Sequence, residues 1–283
     1  MRVSNGAHRA SQLIAGLRAL VLAALLVGLV GIVSAPAASA ATTQVKVVIV
    51  VGPTGSGTSH NITDARSLAA QARSHGAKVI EIYSPNATFY KVRIAATGAN
   101  VLIYMGHGSG WPSPYTPFNA DRKDGMGLNA AAGHGNLNVK YYGETYLKTY
   151  IHLRPNAVVL LRGLCYSAGN SEPGKPAPTA TVGRARVDNY SAGFLRTGAK
   201  AVFAEPYGSV SYVLDWVFNG STTVRDVFMT GGGGWGYSGD SMSSTVFTSK
   251  RNTWATAISQ RDSSGKFRRS VVGNLNLNAS SVR

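Results

Sequence analysis

The chain has 283 residues, 44% of them hydrophobic, and 28 Lys and Arg against 12 Asp and Glu, a formal charge of +16. That length is enough for one large domain with a sizeable core, and its single cysteine excludes an internal disulfide framework. The excess of cations suits anionic surroundings such as cell-surface polymers or acidic proteins. The bases are scattered, however, and nucleic acid is not the expected partner.

In chain order, Arg2, Arg9 and Arg18 precede the apolar stretch Ala19 to Val33, and Ala38-Ser39-Ala40 is a small-residue cleavage site. This is the pattern of a secretory signal occupying residues 1–40, removed near Ala40. The apolar stretch is shorter than a spanning helix needs and no later segment approaches that length, so no membrane span is expected after cleavage. Losing the three arginines leaves 25 bases against 12 acids, a charge of about +13 on a secreted protein.

Val45 to Val51 reads as a buried strand, Asp64 to Ser74 as a helix capped by Asn61 or Thr63, and Lys78 to Tyr83 as a second strand. Ala87 to Ala96 is a weaker helix, Val101 to Met105 a third strand, Glu144 to Ile151 a helix and Ala157 to Leu161 a fourth strand. Ala185 to Arg196 follows as a helix and Ala201 to Ala204 as a fifth strand, with Val210 to Phe218 and Thr223 to Met229 helical. Continuous apolar runs separated by helices indicate an α/β fold, a mostly parallel sheet with helices on both faces. Two long interruptions, Gly108 to Tyr142 and the proline-rich Gly169 to Thr181, are expected to shape a cleft or lid. Residues 41–230 are expected to form the domain, with 231–283 a glycine-rich loop and a C-terminal extension packed on it. In that extension Phe267 to Leu277 could add an edge strand.

Cys165 lies just past an apolar run, and all six histidines precede it. If the thiol is a nucleophile its imidazole comes earlier in the chain, which argues against papain-like and α/β-hydrolase layouts. His107 is the best partner, because it too follows an apolar run and is flanked by Gly106 and Gly108. In parallel sheets ligands gather at the carboxyl ends of strands, where both residues fall. Cys165 would attack a carbonyl carbon and His107 would protonate the leaving amine. The backbone N–H groups of Gly108 and Cys165 would hold the oxyanion, with no metal or cofactor.

An apolar strand ending in His107-Gly108, then tens of residues later an apolar strand leading to Cys165, resembles the catalytic pattern of the caspase, gingipain, clostripain and legumain superfamily of cysteine peptidases. The resemblance implies a caspase-like three-layer sandwich, a His107/Cys165 dyad and endopeptidase action on a peptide or protein substrate. Leu164 stands directly before the cysteine, where such families often carry a small residue. Asp124, Glu172 and Asp188, in or beside the loops near the site, are candidates for an acidic pocket floor that would select Arg or Lys. The alternative is an inactive module on the same fold, serving as a secreted binding or cell-surface protein.

Gly52 to Ser59 follows a strand and precedes a helix, as a phosphate-cradling loop does, but Thr58 stands where the lysine belongs. A sortase-like barrel would need successive alternating strands that the chain lacks. Asp121, Asp124 and His134 have no metal-ligand spacing.

Overall fold

In a computed structural model of the chain, residues 44–231 and 242–283 are described. Residues 1–40, expected to be a secretory signal, and most of the glycine-rich loop, including Trp235 and Tyr237, lie outside them.

The fold is an α/β sandwich around an eight-stranded sheet. Five strands run parallel in the order β2 (Lys78–Tyr83), β1 (Lys46–Val51), β3 (Val101–Met105), β6 (Ala157–Arg162) and β7 (Ala199–Glu205). Three antiparallel strands complete it, β10 (Phe267–Gly273) against β7, then β9 (Thr256–Arg261) and β8 (Ser243–Thr248). β4 (Met126–Asn129) and β5 (Val139–Tyr142) form a separate hairpin.

The parallel strands are apolar on both faces because both faces are covered. Val48, Val50, Leu102, Val159 and Leu161 point to one side, into a core shared with α2 (Phe89–Ala96), α3 (Glu144–Tyr150) and α4 (Ala180–Leu195). Val47, Ile49, Ile103, Leu160 and Phe203 point to the other, against α1 (Thr58–Ser74), α5 (Ser211–Asn219), α6 (Val224–Thr230) and α7 (Ala279–Val282). Among the described residues, no helix is long and apolar enough to cross a membrane.

Several element boundaries differ from the sequence pattern, each for a local reason. α1 begins at Thr58, six residues before the apolar face does, because a 3₁₀ turn over Gly55–Gly57 feeds into it and the buried Thr58 hydroxyl accepts the Thr54 N–H at 2.9 Å. α4 begins at Ala180, since Thr179 caps it by accepting from the Val182 N–H. The loop after β3 holds the β4–β5 hairpin. Phe267–Gly273 is an interior strand, paired with β7 on one side and β9 on the other, so it does not form the sheet edge. The C-terminal residues build three of the eight strands.

Candidate active site

β1, β3 and β6 end together at one rim. Strand order reverses about β1, since β2 lies on one side of it and β3 on the other, and such a switch point opens a crevice beyond the strand ends. His107 leaves β3 there and Cys165 follows β6, with Met105 opposite Arg162 in the register of the two neighbouring strands.

The segment Gly106-His107-Gly108-Ser109-Gly110 owes its glycines to close approach. A side chain at Gly106 would meet the Tyr104 ring at 2.7 Å. One at Gly108 would lie 2.0 Å from the Cys165 carbonyl oxygen and 2.9 Å from its nitrogen, and one at Gly110 would lie 2.3 Å from Tyr166 Cβ. No side chain fits at those distances, so the glycines let the His107 and Cys165 backbones touch. The N–H groups of Gly108 and Cys165 donate to no carbonyl elsewhere among the described residues. The Cys165 N–H faces its own sulfur, and the two neighbouring N–H groups are donors of the kind an oxyanion requires.

Each loop is held by buried polar contacts. The Tyr104 hydroxyl accepts from Gly127 N–H at 2.8 Å and lies 2.9 Å and 3.0 Å from the carbonyl oxygens of Gly127 and His107, fastening the hairpin over the rim. Leu164, fully buried, anchors the turn below Cys165 in the core. Tyr166 takes a left-handed conformation, φ 68°, that a bulky residue rarely adopts. It is kept there by the Arg186 guanidinium stacked over its ring at 4.6 Å and by its own hydroxyl, which donates to Glu172 at 3.0 Å. Arg186 also donates to Pro112 and Asn170 carbonyls, tying the two long loops together.

Electrostatically the rim favours neutral forms. Partial desolvation by the surrounding rim lowers the His107 pKa below its ordinary value, although much of the ring meets solvent. Burial, followed by the Glu172 carboxylate, pushes the Cys165 thiol up to about 11. At neutral pH the pair is therefore an imidazole and a thiol rather than an ion pair. No hydrogen bond joins imidazole to sulfur among the described residues.

A cavity of about 420 Å³ adjoins the rim, lined by Gly108, Tyr115, Lys123, Tyr141, Tyr166 and Glu172 among others. Of the three carboxylates expected in a substrate pocket, only Glu172 lines it. Asp124 is fully buried, accepts the Trp111 N–H at 3.0 Å and is pushed up to about 8 by that burial, so it braces the loop instead. Asp188 binds Ser249 and the Lys250 N–H and lines a separate cavity between α4 and β8.

Tyr104, Tyr141, Tyr166 and Arg186 were absent from the sequence reading. The spacing Gly106, Gly108, Gly110 was the signal that a second segment lies against this one.

The Gly52 to Ser59 loop has spent the donors a phosphate would need. Gly55 N–H goes to the Asn136 carbonyl, Gly57 N–H to Thr54 and Thr54 N–H to Thr58. Among the described residues no three His, Cys, Asp or Glu side chains converge as metal ligands.

No family model matches the chain, and no curated protein matches it. Among solved structures it is similar to a short-chain flavodoxin associated with a bacterial microcompartment. That likeness has 12% identity and a TM-score of 0.28, over 55% of this chain and 78% of the other, and it is too distant to bear on the site.

Proposed function

We propose that the protein is an exported cysteine endopeptidase, similar to the caspase, gingipain, clostripain and legumain superfamily, acting through His107 and Cys165. The observation that carries this reading is the backbone contact of Gly108 with Cys165 at the carboxyl ends of adjacent parallel strands. It supports the reading because His107 and Cys165 then follow neighbouring strand ends beside a cavity.

In the reaction the Cys165 proton passes to the neutral His107 imidazole as sulfur bonds to the scissile carbonyl carbon. Gly108 and Cys165 N–H groups hold the oxyanion. Collapse breaks the C–N bond, the amine leaves with the proton from His107, and water then hydrolyses the thioester. Glu172 beside the Tyr115 and Tyr166 rings suits a substrate side chain ending in a cation.

A second reading, an inactive secreted module on this fold, is favoured by the raised thiol pKa and the unlinked imidazole. Incubating the mature protein with peptides carrying Arg or Lys before a reporter amide separates the two. Hydrolysis that disappears on prior alkylation of Cys165 supports the peptidase. No hydrolysis, with Cys165 protected from iodoacetamide until denaturation, supports the module.

A further inference from the structure

The three tyrosines Tyr142, Tyr146 and Tyr150 recur every four residues from β5 through α3, and Phe89 and Tyr90 open α2 beside them. Phe89 and Tyr146 pack on the buried ring of Tyr142, and Tyr150 and Tyr90 carry the exposed part of the cluster. Phe89 stacks on Tyr142 at 4.5 Å and meets Tyr146 edge-on at 5.5 Å. Tyr146 in turn lies 5.1 Å from Tyr142 and 6.0 Å from Tyr150. Strand alternation makes β5 serve two ends, with Tyr141 facing the site cavity and Tyr142 the ring cluster.

Cations are threaded through the rings. Arg93 lies over both Tyr90 and Tyr150, at 5.6 Å and 6.0 Å, and Lys140 over Tyr142 at 5.3 Å. Lys91 and Lys148 are exposed on the same two helices. The one acid on α2, α3 and β5 is Glu144, which is buried and held by both oxygens on Arg251, so it offers the surface no negative charge. Tyr90 is 65% exposed, Ile94 53% and Tyr150 41%, more apolar surface than helices that merely cover a sheet need to show.

From this surface we infer that α2, α3 and β5 form a binding site for an acidic polysaccharide. Sugar rings present C–H faces that stack on tyrosine, and carboxylate or phosphate groups along such a polymer pair with Arg93, Lys140 and their neighbours. A lipid surface fits less well, because Arg93 lies over the exposed Tyr90 and Tyr150 rings and Ile94 is the exposed aliphatic side chain among them. A plain electrostatic attraction would not require the rings. The site holds an exported basic protein on an anionic cell surface, whether or not Cys165 is a nucleophile.

The test measures affinity of the mature protein for polygalacturonate, with dextran and phosphatidylglycerol vesicles as comparison probes. The wild type should bind polygalacturonate in a salt-dependent way and leave dextran unbound. Tyr90→Ala with Tyr150→Ala should weaken binding about tenfold, and Arg93→Ala with Lys140→Ala at least as much. Lys175→Ala with Lys250→Ala, which removes the same charge from exposed positions elsewhere, should change it by about twofold or less. The inference is overturned if the tyrosine variant binds as the wild type does, or if the two charge variants weaken binding equally. It is also overturned if the protein binds vesicles and not polygalacturonate, or binds neither.

Discussion

The parallel and antiparallel halves of the sheet solve the same packing problem with different residues. In β1 and β3 every buried side chain is apolar apart from the Tyr104 hydroxyl, and the chemistry-bearing residues stand beyond the strand ends. In β9 and β10 Ser259, Gln260, Arg269 and Ser270 are buried inside the sheet. The polar groups of Gln260 and Arg269 are answered within the protein. Arg269 donates to Gln260 and to the Gly231 carbonyl, lies 3.7 Å from Glu205 and stacks on Phe228, while Tyr212 donates to Glu205 at 2.7 Å. Buried polarity that is fully paired holds a fold together, whereas N–H donors beside a thiol invite a substrate.

The comparison predicts that substitutions at the parallel rim remove activity without stability, and the reverse in the antiparallel half. The largest effect is expected at the dyad. Cys165→Ala and His107→Ala should each lower kcat/KM for an amide substrate by about a thousandfold or more, with the double variant hardly worse than either. Thermal unfolding should move little, because His107 is exposed and Cys165 only partly buried. A Cys165→Ala protein that retains activity would break the comparison at its first term.

Next in size is Arg269→Ala, which leaves Glu205 buried without its guanidinium. A loss of about 3 kcal/mol is expected in denaturant unfolding, with kcat/KM at saturating stability unchanged. A variant that unfolds normally but loses hydrolysis would place Arg269 in the catalytic machinery.

Glu205 itself gives a pH signature. Burial outweighs Arg269 and Tyr212 and raises its carboxyl from 4.5 to about 7. The folded state therefore holds this proton across a window in which the unfolded chain has released it. Stability is then greatest below about pH 4.5 as far as this group is concerned, and is lost as pH rises towards 7, by up to about 3 kcal/mol. Glu205→Gln should flatten that part of the stability profile. An unchanged profile would mean that the pair stays ionised and that Arg269 dominates its surroundings.

The same contrast explains what the sequence disclosed. Val47 to Val51, Val101 to Met105 and Ala157 to Leu161 read as strands because burial on both faces leaves an uninterrupted apolar run. Their ends pointed to His107 and Cys165. β8, with Ser243, Ser244, Thr245 and Thr248, and β9, with Gln260 and Arg261, look like loop by composition, and only tertiary pairing makes them strands. The hairpin over the site was hidden for a related reason, since Met126–Asn129 is four residues long and contains a glycine, Gly127, whose partners are the Tyr104 hydroxyl and Tyr141 of β5. Asp124 and Asp188 read as candidates for the pocket floor because nothing local announces that a backbone N–H from another segment will occupy each of them.

The smallest predicted effect sharpens the parallel half. Glu172 is the charge that, after burial, holds the Cys165 proton in place. A nearby carboxylate disfavours the thiolate, so removing it lowers the thiol pKa and raises the thiolate fraction at any pH below that value. Glu172→Gln should therefore speed iodoacetamide alkylation of Cys165 several-fold at pH 8, while the unfolded protein shows no difference. Under the proposed peptidase reading it should also raise KM for substrates with Arg or Lys at the cleaved bond and leave neutral ones nearly unaffected, since the cavity loses its carboxylate and keeps Arg122 and Lys123. Faster alkylation without any change in KM would confine Glu172 to tuning the thiol. An unchanged alkylation rate would show that desolvation alone sets it, and that the cavity and the nucleophile are electrostatically independent.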